Sequence, residues 1–173
     1  MNDTVMSIVA IFLAAILMFI FPLMSTADRT DDISQQAVQT ATTEFVDNIR
    51  STGKITEDKY NSFVSKIAET GNSFNVELGV SELDESSKKK TTEAASTKVG
   101  ENNYIKVYGS QIEEELGRTG TYNLKEGDIV SVTVKNTNKT ISQILKNFFY
   151  QVTGNDTYNI AAQHSGIVNV NAK

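Results

Sequence analysis

The feature that most constrains this chain is an uninterrupted apolar run near its N-terminus. No charged residue occurs from Thr4 to Ala27, and the stretch from Val5 to Met24 is almost entirely apolar. About 20 helical residues at 1.5 Å each cover the roughly 30 Å hydrocarbon layer of a bilayer, and Ile, Leu, Phe and Val partition favourably into lipid. Pro22 falls near the distal end of the run, where a freed carbonyl is tolerated close to the interface. The run therefore predicts a transmembrane helix.

A retained anchor over residues 1–27 is the preferred interpretation, and two others stay open. Ser25-Thr26-Ala27 resembles a signal-peptidase site, but the start Met-Asn-Asp-Thr has no basic residue and the apolar core exceeds the roughly 7–15 residues of a signal peptide. A buried core helix is disfavoured because nothing on the run is polar enough to face water. Small residues would allow other helices to approach closely in lipid. The positions assigned to anchoring and helix packing are Val5, Ile8, Ala10, Ile11, Ala14, Ala15, Phe19 and Pro22.

Residues 28–173 are predicted to form one α+β head that begins with a stalk helix over residues 28–53. Its apolar residues recur every four positions, which is the helical period, and Gly53 is a suitable C-cap residue. Anchor and stalk are therefore expected to form one long, bent helix. Most of the stripe is expected in the core, while part of the stalk surface could meet neighbouring subunits. The stripe consists of Ile33, Ala37, Ala41, Phe45 and Ile49.

The remaining pattern predicts a small antiparallel sheet of about four strands with helices on one face. Strands are expected at Phe74–Val80, Tyr104–Tyr108, Ile129–Val134 and Thr157–Asn171, the last with a bulge at Ser165-Gly166. Residues 84–100 are expected to be a flexible loop. A further helix is expected to begin after Thr56 as N-cap and to end at Gly71. A short helix is expected over Gln111–Leu116, closed by Gly117 or Gly120. A third short helix is expected over Ile141–Val152, and its inner face is expected to carry Ile144, Leu145, Phe148 and Phe149.

Composition excludes several function classes. A net charge of −5 gives no electrostatic support for nucleic-acid binding, and the run Lys88-Lys89-Lys90 is interpreted as a solvated loop. The absence of cysteine excludes disulfides, thiolate zinc sites and cysteine nucleophiles. His164 is the single histidine, and a zinc site needs several His or Cys ligands, which this chain cannot supply. No partners for His164 in a catalytic triad can be identified from the sequence, so a solvated or hydrogen-bonded strand histidine is expected. No catalytic, cofactor-binding or metal-binding residue is predicted, and an enzyme is not expected.

Three acids follow the apolar run at Asp28, Asp31 and Asp32. They could attract a cation, but their spacing does not match an EF-hand loop, and acids are favoured at an exposed helix start. The flanking charges leave orientation open, since the positive-inside rule has only Arg29 to count and one arginine leans faintly toward a cytoplasmic head.

The whole pattern resembles a known family. Its elements are the uncharged start, the apolar helix with an amphipathic continuation, the segment from Phe45 to Thr56, a Tyr60/Phe63 helix, the strand from Phe74 to Leu78, and the ending from Ile160 to Val168. Together they resemble the small pilin-like (TadE-like) proteins of Firmicutes that accompany tight-adherence (Tad-type) pilus and secretion machinery. The glycine and acidic residue of a prepilin cleavage site are absent from the apolar helix.

The resemblance implies an extracellular head and a role as minor pilin, pseudopilin or assembly component. The implied partners are the lipid bilayer, other pilin-like subunits and assembly-platform proteins, with oligomers expected and no cofactor. The alternative is an anchored extracellular module that binds a peptide, glycan or protein. Loop 84–100 and four tyrosines are the candidate contact points for that alternative: Tyr104, Tyr108, Tyr122 and Tyr158.

Overall fold

The computed structural model describes residues 2–84, 104–150 and 159–172, with the side chains at positions 2 and 148–150 outside that description. Within these ranges the chain forms four helices and six strands, so the α+β class is confirmed. The helices are α1 (Asn2–Thr52), α2 (Glu57–Ala68), α3 (Gly109–Thr119) and α4 (Ile141–Tyr150). The strands are β1 (Lys54–Thr56), β2 (Phe74–Leu83), β3 (Tyr104–Tyr108), β4 (Thr121–Asn123), β5 (Ile129–Asn136) and β6 (Ala161–Ile167).

The apolar run and the stalk are one continuous helix. α1 has 51 residues, which corresponds to about 76 Å at 1.5 Å per residue. Pro22 lies inside α1 without ending it. Gly53 follows the helix with a φ of 69°, and its N–H donates to the carbonyl of Ile49 at 2.8 Å. A Cβ at this position would come within 2.5 Å of the carbonyl oxygen of Val170, so the end of α1 requires glycine.

The main sheet is antiparallel, with strand order β3-β2-β5-β6. Val80 of β2 lies opposite Val130 of β5, and Val132 of β5 lies opposite His164 of β6. Directly opposed residues lie on the same face of a sheet, so the inward positions of β2, β5 and β6 coincide. Because alternate residues of a strand point to opposite faces, one face of the sheet carries the buried aliphatic side chains. They are Leu78, Val80, Val130, Val132, Val134 and Ala162.

The core lies between this face and the helices. Phe45 of α1 stacks on Phe63 of α2, with ring centroids 4.5 Å apart and planes 4° from parallel. Offset-stacked rings add a directional contribution to the burial of their area. The helical side chains of the core are Val38, Ala41, Phe45, Val46 and Ile49 from α1, Phe63 and Ile67 from α2, and Ile112 and Leu116 from α3.

A second, two-stranded sheet is not predicted by the sequence periodicity. β1 pairs with β4, with Ile55 opposite Tyr122. Thr56 precedes α2 in an extended conformation, as predicted for an N-cap, but its side chain makes no capping hydrogen bond. The N–H of Glu57 instead donates to the carbonyl of Gly120 at 3.0 Å. The carbonyl of Gly120, which precedes β4, therefore accepts the hydrogen bond from the start of α2 in place of a local cap.

The bulge predicted at Ser165-Gly166 is wrong. The β5–β6 register is continuous through Ser165 and Gly166. Gly166 makes room for Arg50, because a Cβ there would lie 2.4 Å from the Arg50 Cδ atom. The Nε of Arg50 donates to the carbonyl of Ile167 at 2.9 Å, which ties α1 to β6. Of the predicted segment Thr157–Asn171, positions 157 and 158 lie outside the described residues.

The predicted inner face of the third short helix is wrong in its described part. Ile144 is exposed, and Leu145 is half-buried. The buried residues at the start of α4 are Ser142 and Gln143, because this helix packs through its polar side. The side chains of Phe148 and Phe149 lie outside the described residues, as do Val152, the turn at 154–156, residues 85–100 of the predicted loop and the run 88–90.

α3 is longer than the predicted segment Gln111–Leu116. It continues through Gly117 and ends at Gly120, whose φ of 74° is the left-handed C-cap conformation. The backbone N–H of Tyr108 donates to the Gln111 side chain at 3.0 Å, which satisfies the entry to the helix. β3 and α3 are thus joined without an intervening loop.

Candidate functional site

The N-terminal half of α1 extends away from the folded head. Among the described residues α1 is the one helix that is long and apolar enough to cross a membrane, and none of its apolar window is buried. Every anchor position predicted from the sequence is exposed on this half: Val5, Ile8, Ala10, Ile11, Ala14, Ala15, Phe19 and Pro22. Exposed apolar side chains over such a length need an apolar environment.

The stalk stripe divides into two parts. Ala41, Phe45 and Ile49 are buried in the core, as expected for a domain helix. Ile33 is 67% exposed, and Ala37 is exposed as well. The C-terminal end of the stripe is therefore part of the core. Its N-terminal end lies on the surface, between the apolar half of α1 and the head.

The exposed end of the stripe borders a groove. The groove has a volume of about 630 Å³ and runs between α1 and the end of α2. Lys66 forms an ion pair with Glu44 of α1, next to the groove. The groove is lined on one side by Thr30, Ile33, Ala37 and Thr40 of α1, and on the other by Lys66, Glu69 and Thr70.

The acids that follow the apolar run lie inside α1 and not at an exposed helix start, which corrects the sequence interpretation. Asp31 is buried, and its carboxylate accepts a hydrogen bond from the Thr140 hydroxyl at 2.6 Å. Asp28 accepts a hydrogen bond from the Ser142 hydroxyl. It also forms an ion pair with Lys146 at 2.6 Å. Two of the three acids thus hold α4 against α1.

The start of α4 is held in a reciprocal cap. The N–H of Thr140 donates to the Gln143 side-chain oxygen at 3.0 Å, and the N–H of Gln143 donates to the Thr140 hydroxyl oxygen at 3.2 Å. This is a capping box, which the sequence Thr140-Ile141-Ser142-Gln143 signals by its spacing. The capping box and the contact between α4 and α1 were not predicted from the sequence.

Asp28 has a pKa below the usual aspartate range. Burial alone raises its pKa, but hydrogen bonds from Lys146 and Ser142 and the charge of Lys146 together outweigh burial and lower it. A depressed carboxylate pKa contributes stability that is present above the unfolded-state pKa and is lost as the pH falls through the folded-state pKa. The α1–α4 junction is therefore expected to weaken in acid.

Asp28→Asn is expected to lower the thermal midpoint at neutral pH, because Lys146 loses its ionic partner. The difference in thermal midpoint between wild type and variant should narrow as the pH falls through the lowered pKa of Asp28 and the wild-type carboxylate becomes protonated. Thermal unfolding at neutral pH and at a pH below that pKa measures this. Asp32→Asn is the matched control, since Asp32 is exposed on the same turn. A gap of equal size at both pH values would contradict the ionic contribution.

Within the described ranges, the single histidine has a carboxylate nearby. His164 is half-exposed, and its Nε2 lies 4.0 Å from the Asp47 carboxylate, which also accepts a hydrogen bond from Arg50 at 2.8 Å. Over residues 2–84, 104–150 and 159–172, no group of three or more His, Cys, Asp or Glu residues could hold a metal ion.

No family model, curated protein or solved structure matches this chain. Any inference about function must therefore come from the exposed length of α1, the groove beside it and the α4 junction.

The tyrosines predicted as contact points have different surroundings. Tyr108 is 67% exposed and Tyr104 37% exposed on β3, one of the two outer strands of the described sheet. Tyr122 is partly buried and donates a hydrogen bond to Glu82 at 2.6 Å. Burial and the Glu82 carboxylate raise the pKa of Tyr122 above the usual tyrosine range. Tyr122 is thus a structural residue, and Tyr158 lies outside the described residues.

Proposed function

We propose that this protein is a membrane-anchored, pilin-like structural or assembly component of a Tad-type pilus or secretion system. Its head is on the extracytoplasmic side of the membrane. The observation that carries the proposal is the single helix α1, which is apolar and exposed over its first half and packed into an α+β head over its second.

A continuous helix couples contacts in the membrane to the position of the head. Lipid supplies no hydrophobic drive for helix association, so close packing depends on small residues. In an ideal helix, Ile33 lies 18 residues, or about five turns, after Ala15 and therefore on the same face. Ile8 and Pro22 fall within roughly 20° of that face. This face of α1 thus carries exposed apolar residues in the anchor and again at the groove, with Thr26, Arg29 and Thr30 between them.

The groove gives a neighbouring subunit a place to pack above the bilayer. Ile33 and Ala37 are the exposed end of a stripe that is otherwise core. A second α1 seated along this face would contact the anchor positions in lipid and the groove next to the head. Neighbouring anchors of this kind are what a pilus or an assembly platform requires of its subunits.

An anchored binding module is the second candidate, and the outer strand β3 favours it. Tyr108 and Ile105 are 67% and 58% exposed there. Aromatic residues are effective interface anchors, and an outer strand can pair with an incoming segment. In this case contacts would concentrate on β3 and not along α1.

Single-cysteine variants separate the two candidates, because the chain has no cysteine of its own. Ile33→Cys reports on the proposed subunit face, and Tyr108→Cys reports on β3. Gln163→Cys, exposed on the outward side of β6, is the matched control. Attachment of a benzophenone maleimide to the cysteine, followed by irradiation in intact cells that contain the whole machinery, should convert most of the Ile33→Cys protein into cross-linked species, with Gln163→Cys at background.

Adducts at Tyr108→Cys with Ile33→Cys at background would favour the binding module instead. The control variant also tests orientation. A membrane-impermeant maleimide should label Gln163→Cys in intact cells if the head is extracytoplasmic. Labelling only after lysis would contradict that orientation.

A further inference from the structure

In the part of α4 whose side chains are described, two isoleucines face outward, Leu145 is half-buried, and polar side chains face the protein. Ser142 and Gln143 are buried, whereas Ile141 is 65% and Ile144 is 55% exposed. In a helix on the surface of a soluble domain, the apolar stripe faces the core and the polar face meets water. The arrangement in α4 is the reverse, so its outer face calls for an apolar environment.

The contacts of α4 set its height along α1. Thr140 bonds to Asp31, and both Ser142 and Lys146 contact Asp28. Asp28 is four positions beyond Met24, where the apolar run ends, which is about 6 Å along a helix. The headgroup layer extends roughly 5–7 Å beyond the hydrocarbon on each side of a bilayer. Asp31 is seven positions beyond Met24, which is about 10 Å along the helix. Ser142 and Lys146 are therefore level with the headgroups of a bilayer that α1 spans, and Thr140 lies just outside them.

Building on the proposed membrane anchor, we propose that α4 is an interfacial helix whose Ile141 and Ile144 side chains insert into the bilayer surface around α1. Amphipathic helices that lie on membranes bury their apolar face about 5–10 Å into the boundary between headgroups and acyl chains. The polar side chains of Ser142 and Lys146 are already bonded to Asp28 of α1, which leaves the opposite face of α4 for the lipid. It would hold the head against the membrane at a defined tilt.

The charges near the junction fit a lipid surface. Arg29 and Lys139 are exposed at the level of Asp28 and Asp31. Basic side chains at this depth are attracted to anionic headgroups. The carboxylates that would repel phosphate, Asp28 and Asp31, are engaged by α4, while Asp32 is exposed.

The chain has no tryptophan, so a single introduced tryptophan reports on one position. The full chain is reconstituted in vesicles of phosphatidylcholine and phosphatidylglycerol, with or without bromines on the acyl chains close to the headgroup. Ile144→Trp should show blue-shifted emission and lose most of it to the brominated lipid, and Ile141→Trp should behave alike. Tyr108→Trp, on β3, should keep its emission.

Phe12→Trp, inside the apolar run, separates failure of this proposal from failure of the anchor itself. Quenching of Phe12→Trp by lipid brominated deep in the acyl chain, without quenching at positions 141 and 144, would overturn the interfacial helix and leave the anchor standing. Blue-shifted but unquenched emission at both positions would also overturn it, because protein would then cover the face, as a second copy could. Absence of quenching at Phe12→Trp would overturn the anchor and the interfacial helix together.

Discussion

The paired substitution Leu13→Asp and Leu17→Asp is expected to release the protein from the membrane fraction. Both leucines lie near the middle of the apolar run and are more than half exposed on α1. A charged residue at the centre of a transmembrane helix costs about 2.5–3.5 kcal/mol on insertion scales. Two such residues therefore cost about 5–7 kcal/mol, a shift of roughly three to five orders of magnitude in the insertion equilibrium.

Extraction of membranes with alkaline carbonate measures the effect. Wild type should stay in the pellet, and the double variant should move to the supernatant. The matched control places the same two charges on the outward side of β6, as Gln163→Asp with Ser165→Asp, where both side chains are already exposed. Retention of the double variant in the pellet would contradict a bilayer-spanning α1. Recovery of wild type as a soluble chain beginning near Asp28 would show that the run is a cleaved signal.

The elements that depend on local pattern could be predicted from the sequence. The length of the apolar run and the four-residue spacing from Ile33 to Ile49 are properties of consecutive residues, and α1 follows from them. Alternation likewise locates β2 and β5. β1 and β4 could not be predicted in this way, because each has three residues and is held by pairing with a distant segment.

The face of each element that is buried could not be predicted from the sequence, because it depends on which distant elements pack against it. Amphipathic spacing in α4 indicates an apolar inner face for a soluble domain, yet Asp28 and Asp31 attract its polar side. Gly166 has the appearance of a bulge in sequence, but its missing side chain accommodates Arg50 from α1. In both cases a charged residue on α1 determines how the element packs, and the sequence of α4 or β6 alone does not indicate it.

The division of the stalk stripe leads to the second large expected effect, that of Phe45→Ala. Phe45 is 6% exposed, stacks on Phe63 at 4.5 Å and lies 6.4 Å from the ring of Tyr60. Truncating a buried phenylalanine removes its transfer free energy and leaves a cavity, which together lower the free energy of unfolding by about 3–5 kcal/mol. The thermal midpoint of the head should fall by roughly 10–20 °C.

Ile33→Ala is the matched control for Phe45→Ala, because it lies on the same helix and in the same stripe. Ile33 is 67% exposed, so its truncation should change the free energy of unfolding by no more than about 0.5 kcal/mol. Thermal unfolding of detergent-solubilised full-length protein measures both variants. A large loss for Ile33→Ala would mean that its side chain is covered within the isolated protein, and a small loss for Phe45→Ala would mean that α1 is not the centre of the core. An Ile33→Ala variant that is stable but fails to assemble would show that this end of the stripe contributes to subunit packing and not to folding. Folding and subunit packing would then depend on different ends of the same helix.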